Sequence, residues 1–143
     1  MSQSPVFCNC LYFTANSLAR IITKMADEEF RITGISPSYA FLLLLVDTNP
    51  GITPTALANE LHLAPSTVSR MIDKLAQKGL LRRRAEGKNV GIYPTERGQE
   101  LREIVNEAWH RLYERYSTIL GEDFSRELTQ KIDEATRKLE ARG

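Results

Sequence analysis

Residues 53–79 read TPTALANELHLAPSTVSRMIDKLAQKG, and this stretch decides the fold. Thr53-Pro54 is a helix start: Thr offers a side-chain oxygen as N-cap, and Pro is harmless at the first helical position, where no N–H is needed. Leu57, Ala58 and Leu61 give this short helix an apolar face. His62-Leu63-Ala64 makes a tight turn, Pro65 opens a second helix that runs to Lys78, and Gly79 suits the left-handed position that closes it. Ala64 stands where a capping Ser, Thr or Asp is expected. On the second helix Val68, Met71, Ile72 and Leu75 share one stripe. Ser66, Ser69, Arg70, Asp73 and Gln77 lie opposite, with Thr67 and Lys74 at the boundary. Two short helices joined this way form a helix-turn-helix.

After Gly79 the period changes. Leu80 to Ala85 and Val90 to Tyr93 read as two short strands around Glu86-Gly87-Lys88-Asn89, a polar tip containing glycine. Arg82 and Arg84 share one strand face, Arg83 takes the other, and Lys88 and Asn89 occupy the tip. A basic hairpin after a helix-turn-helix is a wing. The second helix shows hydroxyls and an Arg near its N-terminal end, a composition suited to base edges and phosphates in a major groove. The candidate DNA-contacting set is Thr53, Pro65, Ser66, Thr67, Ser69, Arg70, Lys74, Arg82, Arg84, Lys88 and Asn89. Any surface helix has a polar side, and a charged hairpin edge also blocks sheet aggregation. Three consecutive arginines exceed that second need.

Outward from this lobe the pattern is helical. Phe7, Leu11, Ala15, Leu18, Ile22 and Met25 step by four and three, one face of a first helix that fades near Arg31, Thr33 and Gly34. Ser36-Pro37 opens a helix, with Ser36 as N-cap, that carries the apolar run Leu42 to Leu45 and ends at Asn49-Pro50-Gly51. Thr95 caps a long helix striped by Leu101, Val105, Ala108, Leu112, Tyr116 and Ile119. Gly121 breaks it, and Ser125 is placed to cap a last helix whose Leu128, Ile132, Ala135 and Leu139 form a coiled-coil-like seam. The expected organisation is an N-terminal dimerisation helix (1–35), a winged helix-turn-helix DNA-binding lobe (36–98) and C-terminal dimerisation helices (99–143), in one continuous domain. The fold class is mainly α with a small β-hairpin wing. So small a middle cannot bury every long stripe, so a two-fold homodimer is expected.

Composition agrees once it is divided. The 143 residues are 42% hydrophobic and 26% charged, with a net charge of +1. Residues 62–98 hold eight Lys and Arg against three acids, +5, whereas residues 1–61 (three against five) and 99–143 (eight against ten) each stand at −2. A localised basic segment points to an anionic partner. The first Lys or Arg is Arg20, so no secretory signal is read. The most apolar run, Tyr39 to Val46, is too short to span a bilayer. Two cysteines make no disulfide framework. A cytoplasmic protein is expected. With His62 and His110 the only histidines, there is no zinc-type pair, nucleophile elbow or phosphate-binding glycine loop, hence no enzyme, metal or cofactor expectation.

Thr53-Pro54-Thr55-Ala56-Leu57-Ala58, Ser66-Thr67-Val68-Ser69-Arg70, Leu75-Ala76-Gln77-Lys78-Gly79-Leu80 and Pro94-Thr95-Glu96-Arg97-Gly98 stand in an order that resembles the core of MarR-type bacterial regulators, over about residues 6–142. The resemblance implies a homodimeric transcription factor, usually a repressor, on a pseudo-palindromic operator of double-stranded DNA, released by a small molecule or oxidant. Carried over by position, it gives Ser66, Thr67, Ser69 and Arg70 on the recognition helix, and Lys88 and Asn89 on the wing. The wing departs from the family in its short tip without an Asp-x-Arg pattern, where Lys88 stands in for the Arg. Cys8 and Tyr12 resemble the Cys-x-x-x-Tyr of the organic-hydroperoxide-sensing branch, with Cys10 alongside. Against that, no basic residue precedes Arg20 to lower a thiol pKa, and small buried hydrophobes are the other reading of both cysteines. Tyr12, Tyr39, His62 and Trp109 are candidates for the family's ligand pocket, or else ordinary core and surface aromatics. The rival to a DNA-binding regulator is a winged helix used as a protein-interaction module.

Overall fold

Proline, glycine and two capping threonines set most element boundaries. The computed structural model describes residue 7 and residues 9–142. Its order is α1 (Leu11–Glu29), a 3-10 turn (Phe30–Thr33), α2 (Pro37–Thr48), α3 (Pro54–Leu61), α4 (Pro65–Gln77), β1 (Leu81–Glu86), β2 (Asn89–Pro94), α5 (Glu96–Leu120) and α6 (Glu122–Arg142). No single helix among the described residues is long and apolar enough to cross a membrane.

The helix-turn-helix forms as its punctuation requires. Thr53 caps α3, its hydroxyl oxygen accepting the Ala56 N–H at 3.2 Å. His62 closes α3 in the left-handed conformation, φ 56°, a rare state for a residue with a Cβ. Val68, Met71, Ile72 and Leu75 of α4 are all buried against Leu57 and Ala58 of α3 and Leu42, Leu43 and Val46 of α2. Each large apolar side chain in that cluster stabilises the lobe by about 1.5–3 kcal/mol relative to exposure. A smaller cluster of Phe30, Ala40, Val105 and Ala108 joins the lobe to α5.

Four expectations need correction. The helix read from Phe7 is not continuous: Phe7 is itself helical, but Cys10 is extended (φ −99°, ψ 114°) and stands as the N-cap of a separate helix beginning at Leu11. The Phe7 ring meets Phe13, centroids 4.8 Å apart, rather than continuing the stripe. Ser36 stands at the N-cap of α2 but makes no side-chain capping bond. The wing turn is shorter than read: Ala85 faces Val90 as the reading implies, but Glu86 also pairs with Asn89, so the turn is Gly87-Lys88 alone and Asn89 belongs to β2. A two-residue hairpin turn needs positive φ at its first residue when built this way, and Gly87 supplies 62°. Leu80 lies outside the strand, its N–H donating to the Leu75 carbonyl. Finally, α6 starts at Glu122, three residues before the expected cap. Ser125 is buried in its first turn and donates to the Gly121 carbonyl at 2.8 Å.

The joint between lobe and α5 is close. Thr95 Oγ1 accepts the Gly98 N–H at 3.0 Å and donates to the Gly79 carbonyl at 2.6 Å. Gly98 packs directly on the Leu80 backbone. Farther along α5, Arg115 reaches Glu28 at 2.9 Å and Glu29 at 3.1 Å, tying it to α1.

Candidate nucleic-acid interface

Helix α4 turns its apolar stripe inward, so Ser66, Ser69, Arg70, Asp73 and Lys74 are exposed, with Thr67 half-buried. Pro65 is its first residue, and Ala64 supplies no capping side chain. The first amides of α4 therefore point outward without a side-chain acceptor, at the end of the helix that favours negative charge. The missing cap is consistent with a phosphate-facing helix end. Thr53 is committed differently: its oxygen caps α3, which leaves only its hydroxyl hydrogen for an outside partner.

In the wing, Arg82, Arg84, Lys88 and Asn89 are all exposed. Arg82 lies opposite Tyr93 and Arg84 opposite Gly91, on one sheet face; Arg83 lies opposite the buried Ile92 on the other. Ile52 bridges to Ile92, so the hairpin is seated on the segment that leads into α3. Arg83 forms an ion pair with Asp73 of α4, coupling wing to recognition helix. Sequence reading missed this pair, because Asp73 and Arg83 are joined only by the packing of β1 on α4.

The distribution of ion pairs separates the lobe from the rest. Of the eight Lys and Arg in 62–98, only Arg83 has an ionic partner among the described residues. Arg70, Lys74, Lys78, Arg82, Arg84, Lys88 and Arg97 have none among those residues. In 99–143, six of eight are paired: Arg111, Arg115, Arg126, Lys131, Arg137 and Lys138. Exposed pairs contribute little stability, but each neutralises a charge that would otherwise face solvent. The lobe thus carries un-neutralised positive charge along α4, the wing and the start of α5, and α4 begins without a side-chain cap.

The other candidates are not brought together. Cys8 lies outside the described residues, Cys10 is half-buried at the α1 N-cap, and Tyr12 is 80% exposed. Tyr39 packs against the lobe core. Trp109 stands edge-on to Phe41, centroids 4.9 Å apart, beside a shallow groove shared with Leu44 and Leu61. His62 borders a separate cavity of about 380 Å³ between α1, α5 and α6, lined by Leu18, Ile22, Tyr116 and Ile132, and its Nδ1 lies 2.7 Å from Glu140 Oε1 on α6. Burial pushes the Tyr116 phenol above its ordinary pKa. Among the described residues no three His, Cys, Asp or Glu side chains gather as a metal site.

An apolar three-helix core and a seated hairpin define a winged helix-turn-helix fold, here with an un-neutralised helix face. Residues 35–89 match the MarR family model. YybA of Bacillus subtilis (strain 168), described as an uncharacterized HTH-type transcriptional regulator, is 26% identical over 87 residues. That match takes in 59% of this chain and 58% of the relative. The transcriptional repressor CouR bound to a 23-mer DNA duplex has a TM-score of 0.87 at 18% identity, over 95% of this chain and 99% of that one. The MepR–DNA complex of S. aureus has a TM-score of 0.78 at 18% identity, over 95% and 99%. These structures share the fold with this chain.

Proposed function

We propose that the chain is a homodimeric, sequence-specific DNA-binding transcriptional regulator, a repressor released by a small ligand, working in the cytoplasm and carrying out no catalytic step. The observation that carries the proposal is that seven cations of the lobe, spread over α4, the wing and the start of α5, have no ionic partner among the described residues, in a chain that pairs most of its C-terminal cations. Ser66, Thr67, Ser69 and Arg70 are assigned to the major groove, and Lys88 to the minor groove beside it. Asn89, Arg82, Arg84 and Lys74 are assigned to phosphates. CouR and MepR, solved on DNA with this fold, support the same docking.

Residues 1–35 and 99–143 are assigned to the dimer. Leu11, Ile21, Ile119, Phe124 and Leu139 are each more than half exposed in the single chain. Large apolar side chains left exposed on two terminal helices and the end of a third are what a second copy would cover. Two copies would then present their recognition helices to successive major grooves, about 34 Å apart. Release by ligand is supported by the cavity beside His62, which touches both the helix-turn-helix turn and the dimer helices; CouR has also been solved with p-coumaroyl-CoA. Oxidant release through Cys8, Cys10 and Tyr12 is the second route. A gel shift with duplexes from the chain's own upstream region, with and without peroxide, tests the reading. Retarded bands for that DNA over a scrambled duplex support it, and equal affinity for both overturns it. A Cys8→Ser variant that still lets go of DNA in peroxide removes the oxidant route.

A further inference from the structure

The geometry points to Tyr93 as a positioning residue that keeps Arg82 and Arg84 of the wing free for phosphate, an inference that rests on the DNA-binding reading above. Both guanidinium carbons lie over the Tyr93 ring, 5.6 Å from its centroid for Arg82 and 5.8 Å for Arg84. Planar guanidinium groups are held at such distances by the negative face of the ring. The ring reaches both because it lies over Gly91, the cross-strand partner of Arg84. A Cβ at Gly91 would stand 3.1 Å from Tyr93 Cε1 and 3.1 Å from the Gly51 carbonyl oxygen, so the ring occupies room that a side chain at 91 would need.

The hydroxyl has a separate task. Glu86 alternates with Arg82 and Arg84 on the same face of β1 and is the nearest acid along that strand. Its carboxylate is nonetheless hydrogen-bonded by the Tyr93 hydroxyl, and neither arginine has an ion pair among the described residues. A single tyrosine thus orders two cations through its ring and keeps a neighbouring anion from neutralising them through its hydroxyl. A wing without it would have the same formal charge and a smaller charge available to a polyanion.

Binding to a fluorescein-labelled 26-base-pair duplex of random sequence, titrated across salt, tests this directly. Tyr93→Phe keeps the ring and frees Glu86. Its slope of log affinity against log salt should fall by about 0.9, one phosphate contact, which across the decade from 1 M to 0.1 M salt is about eightfold weaker binding at the lower salt. Adding Glu86→Gln to Tyr93→Phe should restore the wild-type slope. Arg82→Lys with Arg84→Lys retains the charge on exposed strand positions but gives up planar stacking, and should bind about fivefold more weakly. A Tyr93→Phe slope equal to wild type, a Glu86→Gln addition that restores nothing, or a double-lysine variant as tight as wild type overturns the assignment. Wild-type protein with no affinity for the duplex is a different failure, that of the DNA-binding reading itself.

Discussion

Gly98→Ala should destabilise the protein although alanine is the better helix former. Gly98 is in the first turn of α5, buried against the root of the wing. A Cβ there would fall far inside contact of the Leu80 carbonyl oxygen, with the Leu80 carbonyl carbon 3.1 Å and its Cα 3.5 Å away. Those atoms are backbone and cannot swing aside. Leu80 is fixed by its own N–H bond to Leu75 and by the Thr95 N–H donating to its carbonyl. Forcing such a contact costs about 3 kcal/mol, the upper part of the overpacking range, while replacing glycine in a helix returns about 1 kcal/mol. The net loss of about 2 kcal/mol corresponds to a fall in Tm of roughly 4–8 °C for a chain of this size. Thermal unfolding followed by circular dichroism, at one protein concentration for both proteins, measures it. A Tm equal to or above wild type would refute the close joint between α5 and the wing. Gly121→Ala is the control: nothing lies within 4 Å of its Cβ position, so only its φ of 93° opposes the change.

Other expectations follow from single residues. Arg70→Ala should weaken binding to the operator by about 1–3 kcal/mol and leave scrambled DNA nearly unaffected, read by competition gel shift. Asp73→Asn frees Arg83 and removes an anion from the reading face, so affinity for random duplex should rise and the specific-to-random ratio should fall, read by fluorescence anisotropy. Asp47 has its carboxyl pKa raised by burial, opposed by nearby Arg102, and its Oδ1 has no hydrogen-bond partner. A raised folded-state pKa means stability present below the unfolded value and lost as pH rises through the folded one. Asp47→Asn should therefore raise Tm by a few degrees at neutral pH, with the gain vanishing as pH falls below the ordinary carboxylate range. Leu139→Asp, on the exposed seam of α6, should shift sedimentation from dimer to monomer and weaken DNA binding at least tenfold through lost bivalency.

The lobe was legible because its boundaries are written in chemistry that acts locally. Thr53-Pro54, Pro65 and Gly79 start and stop helices through their own backbone and capping properties, and the α4 stripe fixes which side faces in. The wing turn was read too long because a run of polar residues does not say how many of them turn. The Gly87 conformation does, and it fixes Arg82 opposite Tyr93. The break at Cys10 was hidden because the apolar spacing continues through a residue whose backbone is extended. Ion pairing was out of reach for a different reason. Arg83 meets Asp73, and Arg115 meets Glu28 and Glu29, across distances in sequence that only packing closes, so the count of charges in 62–98 was right while their freedom was not visible.

The most direct measurement is the salt dependence of wild-type binding to a duplex of about 30 base pairs. The three cations assigned to phosphate, Lys74, Arg82 and Arg84, give a slope of log affinity against log salt of about −2.7 or steeper per protomer. A slope shallower than about −1 would mean that this face does not neutralise a phosphate backbone, and would contradict the assignment of the lobe to DNA.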